Sequence, residues 1–448
     1  MKKRLLFVLF AFGFLTALKV EAQKAVGYYP YYKSSVSSVP YGDYTDMVYA
    51  FIKPNSNTGL LYQDSYFDKS EYNTMVNLTH AAGGKAHISV GGANNSESLY
   101  NVIRSSTKRA ACVADIAKFV SGNHSLGNVQ IDGVDIDWED WHLYYQTGDD
   151  AKHLLFIQEL RVALDAQSAA DGKASPYEIA IAVGGSTPNM PGNFIAHTTY
   201  FKKAVKDYVD HIYVMNYDLN YVYGHNSPTK AATDALAYYS SQGYDMSKIF
   251  IGIPFYGRYG NNDGADGTAY KDFADQGAFD DLDGDYGGHK YNSAPMIRAK
   301  VDAICNEGAA GVLVWEVTHD KAGPYSLIKV INERFDNSCA ESQCAKPDLG
   351  EDETICGDDV VLNSNTVPAN STYKWYLNGQ LINSASSNTY TASQAGIYKV
   401  VRDSGACSKS DEIVVTQSGA LTASASNNGY ICESTGPNSV EISISGGG

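Results

Sequence analysis

Positive charge, tryptophan and long apolar runs are all scarce in this sequence, and each shortage excludes something. Lysine and arginine number 34 against 50 aspartates and glutamates, a formal net charge of -16. A chain that acidic is repelled by nucleic acid and by anionic membrane, so neither is an expected partner. A neutral polymer such as a polysaccharide is not excluded. Beyond residue 22 no apolar stretch is long enough to span a bilayer, so no membrane insertion is expected. Seven cysteines are spread over 448 residues, and none stands directly after Ala22, where a lipid anchor would need one. Four tryptophans stand against 34 tyrosines, so tyrosine carries most of the aromatic surface.

The one apolar run is at the start. Lys2, Lys3 and Arg4 precede Leu5 to Leu18, and small residues Val20 and Ala22 follow. That order reads as a signal peptide over 1–22, cleaved near Ala22 to give a secreted, soluble protein in which disulfides are permitted.

From 23 to 335 short apolar runs alternate with amphipathic segments. The runs are Ala25–Tyr28, Met47–Phe51, His87–Val90, Ile131–Ile136, Ile179–Val183, His211–Met215, Ile249–Ile253 and Gly311–Trp315. Between them, Tyr72, Met75 and Val76, then Cys112, Ile116, Phe119 and Val120, then Leu154, Ile157, Leu160 and Leu164 form stripes at helical spacing. Eight such repeats predict an α/β fold, a (β/α)8 TIM barrel. An open doubly wound sheet is disfavoured because no glycine-rich phosphate-binding turn is present. Residues 258–292, rich in Gly, Asp and Tyr, read as an inserted loop region after the seventh strand. Within it, Asp281-Leu282-Asp283-Gly284-Asp285 reads as a polar turn, since glycine falls fourth rather than sixth as in an EF-hand loop.

Near 336–348 the pattern changes to a linker. Residues 349–417 follow with short alternating segments, Val360–Leu362, Tyr373–Leu377 and Ile397–Val401, as in a small β-sandwich. Trp375 lies between Cys356 and Cys407, and Ala395-Gly396-Ile397-Tyr398 resembles a tyrosine corner, so the module is similar to immunoglobulin-like domains. Its Cys407 falls later than that family places its second cysteine. A second copy starts near 421, where Tyr430-Ile431-Cys432 echoes Thr354-Ile355-Cys356, and residues 421–448 break off inside it, as in a fragment of a longer protein. The modular reading pairs Cys356 with Cys407 and leaves Cys432 unpaired. Cys339 and Cys344 are placed in a small linker loop, and Cys112 and Cys305, each on an apolar stripe, as buried thiols.

The chemistry concentrates in Asp132-Gly133-Val134-Asp135-Ile136-Asp137-Trp138-Glu139. Alternation along a strand points Asp135, Asp137 and Glu139 one way, inward in a barrel, with Glu139 nearest the C-terminal rim. Like charges in one column raise each other's pKa, which keeps one acid protonated while a neighbour stays charged. No histidine cluster accompanies the column, so no metal and no cofactor is expected.

The pattern Asp-x-x-Asp-x-Asp-x-Glu resembles the signature of glycoside hydrolase family 18, the chitinases and their relatives. Other motifs follow in family order: Ser89-Val90-Gly91-Gly92, Met215-Asn216-Tyr217-Asp218, Gly224-His225-Asn226-Ser227-Pro228, Pro254-Phe255-Tyr256-Gly257-Arg258, and Gly311-Val312-Leu313-Val314-Trp315-Glu316 ending at Asp320. The resemblance implies a chitinase acting on chitin or chitooligosaccharides as a monomer, by a retaining mechanism in which the substrate's own acetamido oxygen is the nucleophile. Glu139 would be acid and then base. Asp137 would bond the acetamido N–H, Asp135 would share its proton, and Tyr217 would hold the acetamido oxygen. Asp218 would support that arrangement, and Trp315 would floor the reacting sugar. Tyr28, Phe51, Gly92, Trp138, Met215, Tyr256 and Arg258 would complete the substrate contacts. Tyr29, Tyr221, Tyr223 and Trp141 are further aromatic candidates. An endo-β-N-acetylglucosaminidase acting on N-glycans and a non-catalytic chitin-binding lectin are the alternatives.

Overall fold

The computed structural model describes residues 23–33, 35–93, 96–188, 200–259, 267–339, 347–355, 359–364, 371–404, 407–417, 422–424 and 443–445. The leader reading over 1–22 lies outside them. The chain divides into two compact units, Gln23–Ser342 and a second containing Gln343–Gly448, with the division inside the expected linker.

In the first unit eight parallel strands form a closed ring. They are β1 (Lys24–Pro30), β2 (Asp46–Pro54), β3 (Lys85–Gly91), β4 (Gly133–Asp137), β5 (Glu178–Gly184), β6 (His211–Met215), β7 (Ile249–Pro254) and β8 (Gly311–Trp315). Each pairs with the next, and β8 closes on β1. This is the barrel the eight apolar runs predict.

Period-2 alternation sorts the strand residues. Val134 and Ile136 of β4 turn outward into the main core, where they meet helix residues such as Ile116, Phe119, Ile157 and Leu160. A smaller cluster fills the barrel itself, with Tyr28, Ala50, Ala180, Tyr213, Phe250 and Leu313. The helices begin where side chains satisfy their first N–H groups. Asp68 accepts from Ser70 and Glu71 to start Lys69–Ala81, and Ser105 accepts from Lys108 to start Ser106–Val120. Among the described residues no helix is long and apolar enough to cross a membrane.

The inserted region differs from the loop expected. Tyr256–Tyr259, Thr268–Ala269, Asp285–Tyr286 and His289–Lys290 make a small antiparallel sheet, beginning two residues earlier than the composition indicates. Strands of two residues carry too little alternation to read. Asp281 does nucleate a turn, accepting from the N–H groups of Asp283 and Asp285 at 3.0 and 3.2 Å.

In the second unit a five-stranded sheet runs in the order Glu353–Ile355, Cys407–Gln417, Gly396–Ser404, Thr372–Leu377, Gln380–Leu381. Val360–Asn363 pairs with Thr389–Ala392. Trp375 is fully buried in a core with Tyr398, Val400, Ile413 and Val415. Of the expected second copy, Thr422–Ser424 and Ser443–Ser445 are described, and they pair antiparallel.

The cysteines require one correction. Cys112 is a buried free thiol, but Cys305 is disulfide-bonded rather than a thiol. It sits near the end of helix Ala294–Asn306, and an apolar-stripe position is as compatible with a buried bridge as with a buried thiol. Its partner's sulfur lies outside the described residues. So do Cys356, Cys432, Cys344 and the side chains of Cys339 and Cys407, and with them the expected pairings.

Candidate active site

A cleft of about 600 Å³ opens at the C-terminal ends of the barrel strands, and most of the expected site residues line it. Asp137, Glu139, Tyr217, Asp218, Trp315, Tyr28, Phe51, Met215, Tyr256 and Arg258 are all on its wall.

The acidic column lies on β4 and its immediate extension. Asp135 is fully buried, and its Oδ2 accepts from Tyr28 Oη at 2.9 Å and Ser89 Oγ at 2.6 Å. Burial raises its pKa, and those two donors with nearby His87 restrain the rise. Asp137, one layer up, is 4% exposed and its Oδ1 has no partner. Burial, then the charges of Glu139 and Asp135, push its pKa well above the usual carboxylate range. Two hydroxyls donate to Asp135 and none to Asp137 Oδ1, an arrangement that favours the pair's charge on Asp135. Glu139 lies just past the strand, half-buried at the cleft. Burial together with Asp140, Asp218 and Asp135 raises its pKa, so it holds a proton near neutrality.

Local geometry fixes Glu139. Its backbone N–H donates to Ser96 Oγ at 3.0 Å, and Asp137 O accepts from Gly92 N at 3.0 Å, tying the end of β4 to the loop after β3. Asp140 then adopts a left-handed conformation, φ 54°, which turns the chain away from the strand.

Across the cleft stands the segment after β6. Tyr217 fits because β7 has Gly252 opposite it, where a Cβ would come within 2.8 Å of the Tyr217 ring. Burial and the nearby Asp137 and Glu139 raise the Tyr217 pKa, so its hydroxyl remains a donor. Asp218 accepts from Arg258 through two bonds, 2.7 and 2.8 Å, and from Tyr256 Oη at 2.6 Å. The His225-Asn226-Ser227-Pro228 motif explains itself here. Buried Asn226 accepts from Asp218 N at 2.9 Å and donates to Tyr256 O at 3.2 Å, joining two walls. Trp315 stacks on Phe51 with ring centres 5.8 Å apart and an interplanar angle of 25°, an apolar floor beside the acids.

Two expected contacts are corrected. Trp138 is not on the cleft. It is fully buried and stacks on His153 at 4.6 Å, because a residue between Asp137 and Glu139 faces the helices. Gly92 is not on the wall either. A Cβ there would meet the Phe51 ring at 2.9 Å, so this glycine makes room for Phe51. Tyr29 and Trp141 are buried in the core, and Tyr221 and Tyr223 are not among the cleft residues. Asp320, where the eighth-strand motif ends, is not among the cleft residues. Its carboxylate accepts from Leu327 N, Ile328 N and Ser326 Oγ and starts helix Leu327–Arg334.

The cleft also holds residues that the motifs do not name. Tyr213 lines it from the position two residues below Met215, which strand alternation alone would reveal, as Leu313, inside the eighth-strand motif, does below Trp315. Tyr31, Tyr32 and Tyr66 come from loops and His319 from the short 3-10 helix Val317–His319, where no period marks them. Away from the cleft, Asp46, His87 and Glu178 bring donor atoms within 4.8 Å of one another. Glu178 there already accepts from Lys85, His87 and His211, which makes the group an ion-pair cluster.

The chain matches the profile of Glycosyl hydrolases family 18 over residues 24–320. A chitinase-like effector of Moniliophthora roreri is 27% identical over 56% of this chain and 63% of its own length. Endochitinase 1 of Metarhizium robertsii is 23% identical over 65% of this chain and 79% of its own. A mutant class V chitinase of Nicotiana tobaccum, solved in complex with NAG4, has the same fold, with a TM-score of 0.59 at 18% identity over 70% of this chain and 99% of that one. With two-thirds of its length in register with that profile, and the barrel and acidic column in place, the chain belongs to glycosyl hydrolase family 18.

Proposed function

We propose that this protein is a secreted chitinase that hydrolyses β-1,4 bonds between N-acetylglucosamine units with retention of configuration. The observation that carries the reading is Glu139 on the cleft wall, its pKa raised by burial and by Asp140, Asp218 and Asp135, above a column in which two hydroxyls donate to Asp135 and none to Asp137 Oδ1. Glu139 protonates the leaving glycosidic oxygen. The acetamido oxygen of the sugar to its non-reducing side attacks C1, giving an oxazolinium ion. Asp137 accepts from the acetamido N–H through its side-chain carbonyl oxygen, the charge of Asp135 beneath it offsets the positive charge, and Tyr217 donates to the acetamido oxygen and aligns it. Glu139, now a carboxylate, takes a proton from the water that opens the ring. A substrate nucleophile suits this column, because Asp137 lies next to the acid rather than across the sugar from it.

Two further readings accompany this one. Secretion rests on the leader pattern of 1–22. An immunoglobulin-like sandwich in 349–417 is supported by buried Trp375 and by Tyr398 Oη donating to Gln394 O at 2.9 Å. The likeness to a chitinase-like effector keeps a non-catalytic chitin-binding role in view. Incubation with N-acetylglucosamine oligomers and with a high-mannose glycoprotein separates the cases. Cleavage of the oligomers is expected. Cleavage of the glycoprotein alone would move the activity to N-glycans, and oligomer binding without cleavage would make the protein a lectin.

A further inference from the structure

Beneath the acidic column lies a second layer of charge that the reaction does not touch. Glu178, at the start of β5, accepts from the ammonium of Lys85, from His87 Nε2 at 3.0 Å and from His211 Nε2 at 3.3 Å. Asp46 of β2 is 2% exposed in the same layer, and its Oδ1 has no partner. His87 is fully buried, and its Nδ1 is also unpartnered.

Register places His87 under the column. On β3 and β4, Ser89 pairs with Asp135, and His87 pairs with Gly133. Ser89 is the residue whose hydroxyl donates to Asp135. His87 stands two residues earlier on the same strand, one inward layer lower, roughly 6.6 Å along the chain. Gly133 is what lets the ring sit there. A Cβ at Gly133 would lie 2.7 Å from His87 Cδ2 and closer still to Glu178 O. Glycine thus directly precedes the acidic column and leaves its side-chain space to an imidazole.

We propose that His87, held as an imidazolium by Glu178, is a positioning residue for the cleft: its buried positive charge keeps Asp135 ionised, so that the proton of the Asp135–Asp137 pair stays on Asp137, next to Glu139. The proposal rests on the chitinase reading for its consequence in catalysis, but not for the charge itself. The groups around each partner agree with it. Burial opposes a charged His87, yet the hydrogen bond and charge of Glu178, then Asp46 and Asp132, carry its pKa above the usual imidazole value. Around Asp135, Tyr28 and Ser89 donate, and His87 is the one cation acting on it. Asp137 above it has its pKa raised, by burial first, and Tyr213 and Tyr217 are neutral, their pKa values likewise raised by burial first. Lys85 meets Oε1 of the same carboxylate, Glu178, and His211 shares Oε2 with His87.

The test is the pH profile of kcat/KM. His87→Gln keeps a donor for Glu178 and cannot carry charge. A nearby cation depresses a carboxylate pKa, and His87 acts on Asp135 after the Ser89 and Tyr28 donors, so the acid limb of the variant should move up by about half a unit. Glu178→Gln, which removes the anion that holds the imidazolium, should move it the same way. A structural defect would lower the rate at every pH and leave the limb in place. A second measurement needs no cleavage and no variant: imidazole ¹⁵N shifts of His87 in the wild-type protein, connected to its backbone through bonds. They should report a protonated ring at pH 6–7. A neutral His87 at pH 6, or a folded His87→Gln with an unmoved acid limb, overturns the proposal. If the wild type cleaves nothing, the ¹⁵N result still decides the charge state, and only the catalytic reading has failed.

Discussion

Arg258 grips Asp218 with two parallel bonds, at a residue whose backbone is already in the left-handed region with φ 58°. Lysine cannot reproduce that fork. Arg258→Lys or Arg258→Ala should therefore loosen the wall carrying Tyr217 and lower kcat/KM by roughly ten- to a hundredfold, the worth of a charge-assisted bond or two. Steady-state kinetics on a chitin oligomer check this. Asp137 offers a stability prediction of opposite sign. Its folded pKa is raised, so the native state holds a proton that the unfolded chain releases above about pH 4. That penalty is absent at lower pH and grows as pH rises toward the folded value. Asp137→Asn should thus stabilise the protein at pH 7, lose that gain near pH 4, and suppress activity. Thermal melts at the two pH values read it. Strand alternation made Asp135 and Asp137 legible as one column. The same rule, applied to Trp138, sends it outward to His153. Arg258 was readable as a motif end, but its hold on Asp218 depends on two loops meeting, which sequence order does not encode.

Among elements, the ends of β2, β3 and β8 act together. Gly92 has φ 89°, and its missing Cβ leaves the Phe51 ring in place against Trp315. Gly92→Ala adds both backbone strain and a clash, a cost of about 1–3 kcal/mol. It should lower Tm and weaken oligomer binding together, because Phe51 cannot retreat without moving Trp315. A variant with unchanged Tm and affinity would refute that coupling. The eight strands were legible because each is a compact apolar run bounded by helical stripes. The sheet built on Tyr256–Tyr259 was not, since its partners are two-residue strands set by hydrogen bonds rather than by any apolar period. Tyr32 and Tyr66, 52% and 60% exposed at the cleft mouth, were equally hidden, because a loop tyrosine at a rim looks like any surface tyrosine.

At the scale of the whole molecule, two cores share no residue. The first ends at Phe335 and the second begins at Leu349. A chain ending at Ser342 should keep the barrel's own melting transition and its activity on short oligomers, and calorimetry of the two lengths compares them directly. The charge of -16 leaves a neutral polysaccharide open as a partner, and the barrel was legible from periodicity before any motif. The account as a whole stands on Glu139 as the proton donor. Its most direct test is Glu139→Gln, which keeps the shape of the side chain and removes its proton. The rate of chitin-oligomer cleavage should fall at least ~10²–10⁴-fold while oligomer binding, measured by calorimetry, persists. A variant that binds and cleaves like the wild type would contradict the account.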